Sequence, residues 1–335
     1  MRIALVSSCW TRTPPLGYGG TELVVGELAR GFVDRGHDVT VFATGDSEAS
    51  GTIRSRFATP RTPDLFSDLM HHRYAWDEIA KGDFDVIHCH QPMGMALAGP
   101  LASRTVYTLH HDASQETIEF YRDFPEVRRI AISRAQSDAF APIRIDAVIH
   151  HGLSPALYPE SPRDKPYVAF LGRYAPEKGT DIAIRAARRA GVPIRLGGAA
   201  RDAGRAYFDE IVTPLLRDST SAVDLGELSH APKVELLQDA QALLMPIQWE
   251  EPFGLVMIEA MLTGTPVIAF DRGSVREVVE PGITGLIVRS EEEMAEAIAT
   301  LPSFDRVRCR ARAQERWSTE RMVNEHLQFY REIAS

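Results

Sequence analysis

The chain has 335 residues, enough for two α/β domains of ordinary size. It is 44% hydrophobic and 25% charged, a globular composition, and no apolar run approaches the ~18 residues that a membrane span needs. A net charge of −9 argues against a nucleic-acid binder, whose affinity comes mainly from neutralising phosphates.

Apolar, strand-length runs alternate with helix-length segments from end to end, the pattern of parallel sheets covered by helices. The start, Met1-Arg2-Ile3-Ala4-Leu5-Val6, reads as a first strand rather than a signal peptide, because the apolar stretch is short and no cleavage site follows. In the first half the runs are Ile3–Val6, Val39–Ala43, Val86–His88, Thr105–Leu109, Arg129–Ile132 and Ala147–Ile149. In the second they are Tyr167–Leu171, Ile194–Leu196, Ala222–Leu225, Ala242–Met245, Pro266–Ala269 and Leu286–Val288. Six and six predict two Rossmann-like, doubly wound domains. The prolines Pro155, Pro159, Pro162 and Pro166 mark the junction between them, giving domains 1–155 and 156–316. Cys9, Cys89 and Cys309 are an odd number without metal-ligand spacing, which predicts a reducing, cytoplasmic setting.

After the first strand, Gly17-Tyr18-Gly19-Gly20-Thr21-Glu22 lets the backbone turn tightly and feeds a helix predicted to run to about Gly36. Such a loop is either a phosphate cradle or a plain turn. Residues 46–82 have weak periodicity. Next, His88 and His90 alternate onto one face at a strand end, but no third metal ligand is in view and no metal is expected. His110 emerges where the strand Thr105–Leu109 stops, at the carboxyl end of the strand where open α/β folds bind ligands, with His111 and Asp112 beside it. Sugar positioning, general-base chemistry with the aspartate, and a structural role are all open to this histidine.

In the second half, Gly172-Arg173-Tyr174-Ala175-Pro176-Glu177-Lys178-Gly179 puts two cations between a strand and a helix start, where they can hold a diphosphate or lie on the surface. Further on, Glu251-Pro252-Phe253-Gly254-Leu255 leads into a helix that carries Glu259 and ends at Thr263-Gly264-Thr265-Pro266-Val267. The amides of Phe253, Gly254 and Leu255 are expected at the helix start, unpaired, beside the positive end of its dipole. The basic run Arg306, Arg308, Arg310, Arg312 and Arg316 reads as a solvated helix face, with membrane contact the less favoured reading.

The stretch from Glu251 to Glu259, with Phe253-Gly254-Leu255 inside and Gly264-Thr265-Pro266-Val267 beyond, resembles the donor-site signature of family-4 retaining glycosyltransferases (glycosyl transferase group 1). The Gly172-Arg173 to Lys178-Gly179 string and the Gly19-Gly20-Thr21-Glu22 loop are similar to that family's patterns too, so the resemblance spans nearly the whole chain. It implies the GT-B fold, two Rossmann-like domains facing a central cleft, with the last helix, 317–335, returning to the first domain. By the same resemblance, Glu259 holds ribose hydroxyls, while Arg173, Lys178 and the Gly19 and Gly20 amides hold the diphosphate. Glu251, His110 and the amides of Phe253, Gly254 and Leu255 hold the sugar. His111, Asp112, Tyr74 and Trp76 fall on the acceptor side. The implied reaction moves a hexosyl group, with UDP-glucose or a related UDP-sugar the expected donor, onto a hydroxyl of a small-molecule, saccharide or lipid-linked acceptor. The nucleotide-sugar is a co-substrate, and no cofactor or metal is expected. A sugar-nucleotide 2-epimerase of the same fold and a non-catalytic sugar-nucleotide sensor are the alternatives.

Overall fold

The apolar runs fold as parallel strands in a computed structural model that describes residues 1–159, 165–299 and 304–334. Of the features read above, Pro162 at the junction and Ser335 at the end of the last helix lie outside the described residues. Contacts divide the chain into one unit of Met1–Leu153 with Thr319–Ser335, and a second of Ser154–Ser318.

The first unit is built on β1 (Arg2–Val6), β2 (Asp38–Phe42), β3 (Thr52–Arg54), β4 (Val86–Cys89), β5 (Thr105–Thr108), β6 (Arg128–Ala131) and β7 (Ala147–Val148). Their order is β3-β2-β1-β4-β5-β6-β7, with every pairing parallel. Strands β4 and β5 are buried at every position, as expected of inner strands covered on both faces. The sequence reading lacked β3. It has three residues at the sheet edge and none of them buried, so no apolar run announces it.

The second unit holds β8 (Val168–Leu171), β9 (Ile194–Gly197), β10 (Ala222–Asp224), β11 (Leu243–Met245), β12 (Val267–Phe270) and β13 (Gly285–Val288). These form a parallel sheet in the order β10-β9-β8-β11-β12-β13. Strand order reverses between β1 and β4 in one sheet and between β8 and β11 in the other. Loops leaving the carboxyl ends at such reversals form a natural crevice for ligands.

Two helix ends differ from expectation. The helix after the glycine loop spans Gly20–Val33, three residues shorter than predicted. At the C-terminus Ser318 separates Arg306–Trp317 from Thr319–Ala334, so Trp317 belongs to the second unit and packs edge-on against Phe253. The last helix lies on Gly20–Val33 within the first unit, with the Phe32 and Tyr330 rings 5.5 Å apart and the Thr319 hydroxyl donating to buried Glu27.

The arginine run is not a solvated face. Arg306 donates to the carbonyls of Ala240 and Gln238 and to Thr265, and Arg310 donates to those of Tyr158, Leu262 and Pro155. Arg312 pairs with Glu280 at 2.6 Å, and Arg316 donates to the Glu277 carbonyl. Guanidinium forks match carbonyls left bare at helix ends, which explains the clustering. Of the five, Arg308 is the exposed one.

Candidate functional site

In the second unit the site starts at the tip of β8. Arg173 follows the strand and pairs with Glu177 at 3.2 Å, with a third of each side chain exposed. A short 3-10 turn, Pro176–Lys178, then ends in Gly179, which caps the helix Thr180–Ala190. Gly179 has φ +68°, and a Cβ there would lie 2.2 Å from the Pro246 carbonyl oxygen. Only glycine lets the β8 loop pass this close to the chain leaving β11. That approach brings Lys178 Nζ to 2.6 Å from Glu251 Oε2, over the Trp249 ring at 4.5 Å. Trp249 Nε1 donates to the same oxygen at 2.9 Å.

Glu251 is therefore buried but compensated, and both donors use Oε2. Its Oε1 has no protein partner among the described residues. Glu259, on the helix Leu255–Leu262, repeats the arrangement. Lys233 Nζ and the Tyr158 hydroxyl (2.9 Å) both donate to its Oε1, and Oε2 has no protein partner among the described residues. A buried carboxylate held through one oxygen keeps a fixed orientation and an acceptor for a ligand hydroxyl.

The helix carrying Glu259 begins later than predicted. Gly254, at φ +77°, is its cap, and Met257 N turns back to the Gly254 carbonyl at 2.9 Å. Among the described residues the amides of Gly254, Leu255 and Val256 have no protein acceptor. Phe253 precedes the cap and is 2% exposed, so it contributes a packed ring and not a helix-start amide. Three donors at the positive end of a helix suit an oxygen-rich or anionic group.

In the first unit the glycine loop enters its helix at Gly20, with Gly19 as a cap that has no side-chain bond. Glu22 in the first turn is buried and accepts from Ser8 Oγ at 2.5 Å, and burial raises its carboxyl above the usual range. His90 follows β4 and His110 follows β5, so adjacent strands bring their rings together, Nδ1 of His90 lying 2.9 Å from Nε2 of His110. His110 also stacks on His151, with centroids 5.3 Å apart. His88 faces inward, its ring nitrogens bonded to the Tyr330 (2.5 Å) and Thr108 (2.7 Å) hydroxyls, and beyond it lies His326. Among the described residues no group of three or more His, Cys, Asp or Glu side chains is placed to hold a metal ion.

Several acceptor-side expectations are corrected by burial. Trp76 is 6% exposed and sits in the core with Tyr107, Tyr121 and Phe140, because its helix turns that face onto the sheet. His111 has both ring nitrogens occupied, Nε2 by the Tyr121 hydroxyl (2.5 Å) and Nδ1 by the Asp112 carbonyl (2.7 Å). It braces the loop. Tyr74 lines a surface pocket with Arg56, Leu69, Met70, Arg73 and Asp77, and Asp112 is exposed. Three residues that the sequence reading did not single out complete the second unit's site, namely Trp249, Lys233 and Tyr158. Lys233 lies on the helix His230–Asp239, one turn from its start, and nothing in its local sequence marks it as a partner for Glu259.

Comparison with known proteins adds an independent line. A model described as glycosyl transferases group 1 matches residues 159–316, and one described as glycosyltransferase family 4 matches residues 18–157. A phosphatidyl-myo-inositol mannosyltransferase of Mycolicibacterium smegmatis is 29% identical over 94% of this chain and 89% of its own length. A D-inositol 3-phosphate glycosyltransferase of Mycobacterium tuberculosis is 35% identical over 47% of this chain, and the match spans only 36% of that relative. Among solved structures, Anabaena HepE in complex with UDP and glucose superposes with a TM-score of 0.79 at 23% identity, covering 99% of this chain and 100% of that one.

Proposed function

Because the chain belongs to the family-4 glycosyltransferases of the GT-B fold, we propose that it moves a hexosyl group from a nucleoside-diphosphate sugar to an acceptor hydroxyl, with retention at the anomeric carbon. The observation that carries this reading is the pair of carboxylates Glu251 and Glu259, each held through one oxygen, on either side of the unpaired Gly254, Leu255 and Val256 amides. Glu259 Oε2 accepts from ribose hydroxyls. Glu251 Oε1 accepts from hydroxyls of the sugar, which the amides also grip.

Arg173 and Lys178 take the diphosphate. Both cations are already paired with carboxylates, Arg173 with Glu177 and Lys178 with Glu251, so the phosphates bind by competing for them. As the bond from the anomeric carbon to the phosphate oxygen breaks, these cations meet the charge that develops on the leaving group. The acceptor hydroxyl attacks from the leaving-group face and passes its proton to the departing phosphate, so no protein base is assigned. The family resemblance further assigns His110 to the sugar and the Gly19 and Gly20 amides to the diphosphate. Asp112 and Tyr74 are left for the acceptor. No cofactor is required. The UDP and glucose bound by HepE support UDP-glucose as the first donor to test, and the mannosyltransferase relative makes a mannosyl donor the second.

Incubation with UDP-, GDP- and ADP-sugars, followed by mass spectrometry, tests the reading. Slow release of one nucleoside diphosphate, lost in Lys178→Ala and Glu251→Ala, is the expected result. Conversion of the sugar with the nucleotide still attached would mean an epimerase instead.

A further inference from the structure

Of the histidines clustered in the first unit, the proposed reaction uses only the half-buried His110, yet His110 is tied to the buried ones by one short contact. Nδ1 of His90 and Nε2 of His110 are 2.9 Å apart, so one hydrogen lies between them and one ring donates it. Burial, aided by the neighbouring imidazoles, lowers both rings below the ordinary histidine range, His110 to about 3, so both are neutral near pH 7. A neutral imidazole carries one N–H and one bare nitrogen, so a choice at one end of the contact fixes the other.

The far end of His90 makes that choice. Its Nε2 is buried and has no partner among the described residues, and the His90 ring lies against the His88 ring at a centroid distance of 4.1 Å. If His110 donated, His90 would carry its own proton on this enclosed Nε2 as an orphaned donor, which folded proteins rarely contain. If His90 donates from Nδ1, its Nε2 is a bare nitrogen and no donor is stranded. His110 then accepts at Nε2 and carries its proton on Nδ1, which has no protein partner among the described residues.

We infer that His90 is a positioning residue that sets the tautomer of His110, so that His110 presents an Nδ1–H donor, and not a lone pair, to its ligand. Its importance for turnover rests on the sugar contact proposed for His110. In this state His110 donates to a sugar oxygen and cannot act as a general base through Nδ1, which agrees with proton transfer to the departing phosphate. The ring stack holds the geometry, with His151 against one face of His110 and His88 against His90.

Long-range nitrogen–proton NMR on the whole chain labelled with [15N]histidine reads the tautomer directly, the His110 signals being identified by their loss in His110→Asn. The wild-type protein is expected to show His110 protonated on Nδ1 and bare at Nε2. In His90→Asn the side-chain amide replaces the Nδ1–H donor and keeps that state. In His90→Leu the donor is gone and the Nε2-protonated form appears. With the donor sugar that the wild type uses, His90→Leu is expected to lose about 10- to 100-fold in kcat/KM while nucleoside-diphosphate affinity holds, and His90→Asn to recover most of the loss. A wild-type His110 protonated on Nε2 overturns the inference, as does a tautomer unchanged in His90→Leu. A wild type that shows the Nδ1–H state but transfers no sugar would instead refute the proposed function and leave the tautomer assignment standing.

Discussion

The two units stabilise buried polar groups in opposite ways. In the second, buried carboxylates are paired with cations, Glu251 with Lys178 and Glu259 with Lys233. In the first, the buried polar side chains include a set of imidazoles. Ten of the eleven histidines lie there, His230 being the exception. His71, His88, His90, His110, His151 and His326 are all lowered, first by burial, and burial raises Glu22. Ion-paired carboxylates suit a site that exchanges partners with a charged ligand. Neutral imidazoles suit one that aims hydrogen bonds without attracting counter-ions.

Acid should break this comparison most forcefully. A histidine whose folded pKa is depressed takes up its proton in the unfolded chain first, so stability is full above about pH 6.5 and falls as pH drops below it. The loss continues down to the folded values, about 4 for His71 and His326 and about 3 for His110. Each such group contributes up to about 1.4 kcal/mol per pH unit in that window, so the six together are worth several. Urea midpoints at pH 7.5 and 5.5 should therefore fall sharply, with limited proteolysis cutting first within residues 1–153.

Lys178→Met comes next. It removes one of the two cations proposed to meet the leaving group, and turnover should fall about 10²–10³-fold in a steady-state assay. It also leaves Glu251 with Trp249 alone, so the unfolding free energy from urea titration should drop by about 1–3 kcal/mol. The smallest effect sharpens the contrast. Tyr158→Phe deletes one of two donors on Glu259 and should cost only about 0.5–1.5 kcal/mol, because Lys233 still holds the carboxylate. A thermal melt with and without nucleotide would show it as a small shift in both.

The sheets were legible because inner strands of parallel sheets are continuous apolar runs, and β3 escaped because an edge strand of three residues needs none. Arg173, Lys178, Glu251 and Glu259 stood out through the resemblance of their strings to a family pattern, while their spacing alone would equally have fitted surface charges. Their supports did not stand out. Tyr158 meets Glu259 across 101 residues, and His88 meets Tyr330 across 242, distances that no local pattern encodes. Trp76 and His111 misled for a related reason, because residue type suggested ligand contact and only the packed helix and loop reveal which way each side chain turns.

The proposed function requires Glu259 Oε2 to accept from ribose hydroxyls. Calorimetric titration of UDP, GDP and ADP into the wild type and Glu259→Gln tests this most directly. One nucleotide should bind the wild type with a single-site isotherm and bind the variant about 10- to 100-fold more weakly, as expected for a lost hydrogen bond to a charged group. Equal affinity in the two proteins, or no nucleotide binding by the wild type, would contradict the account.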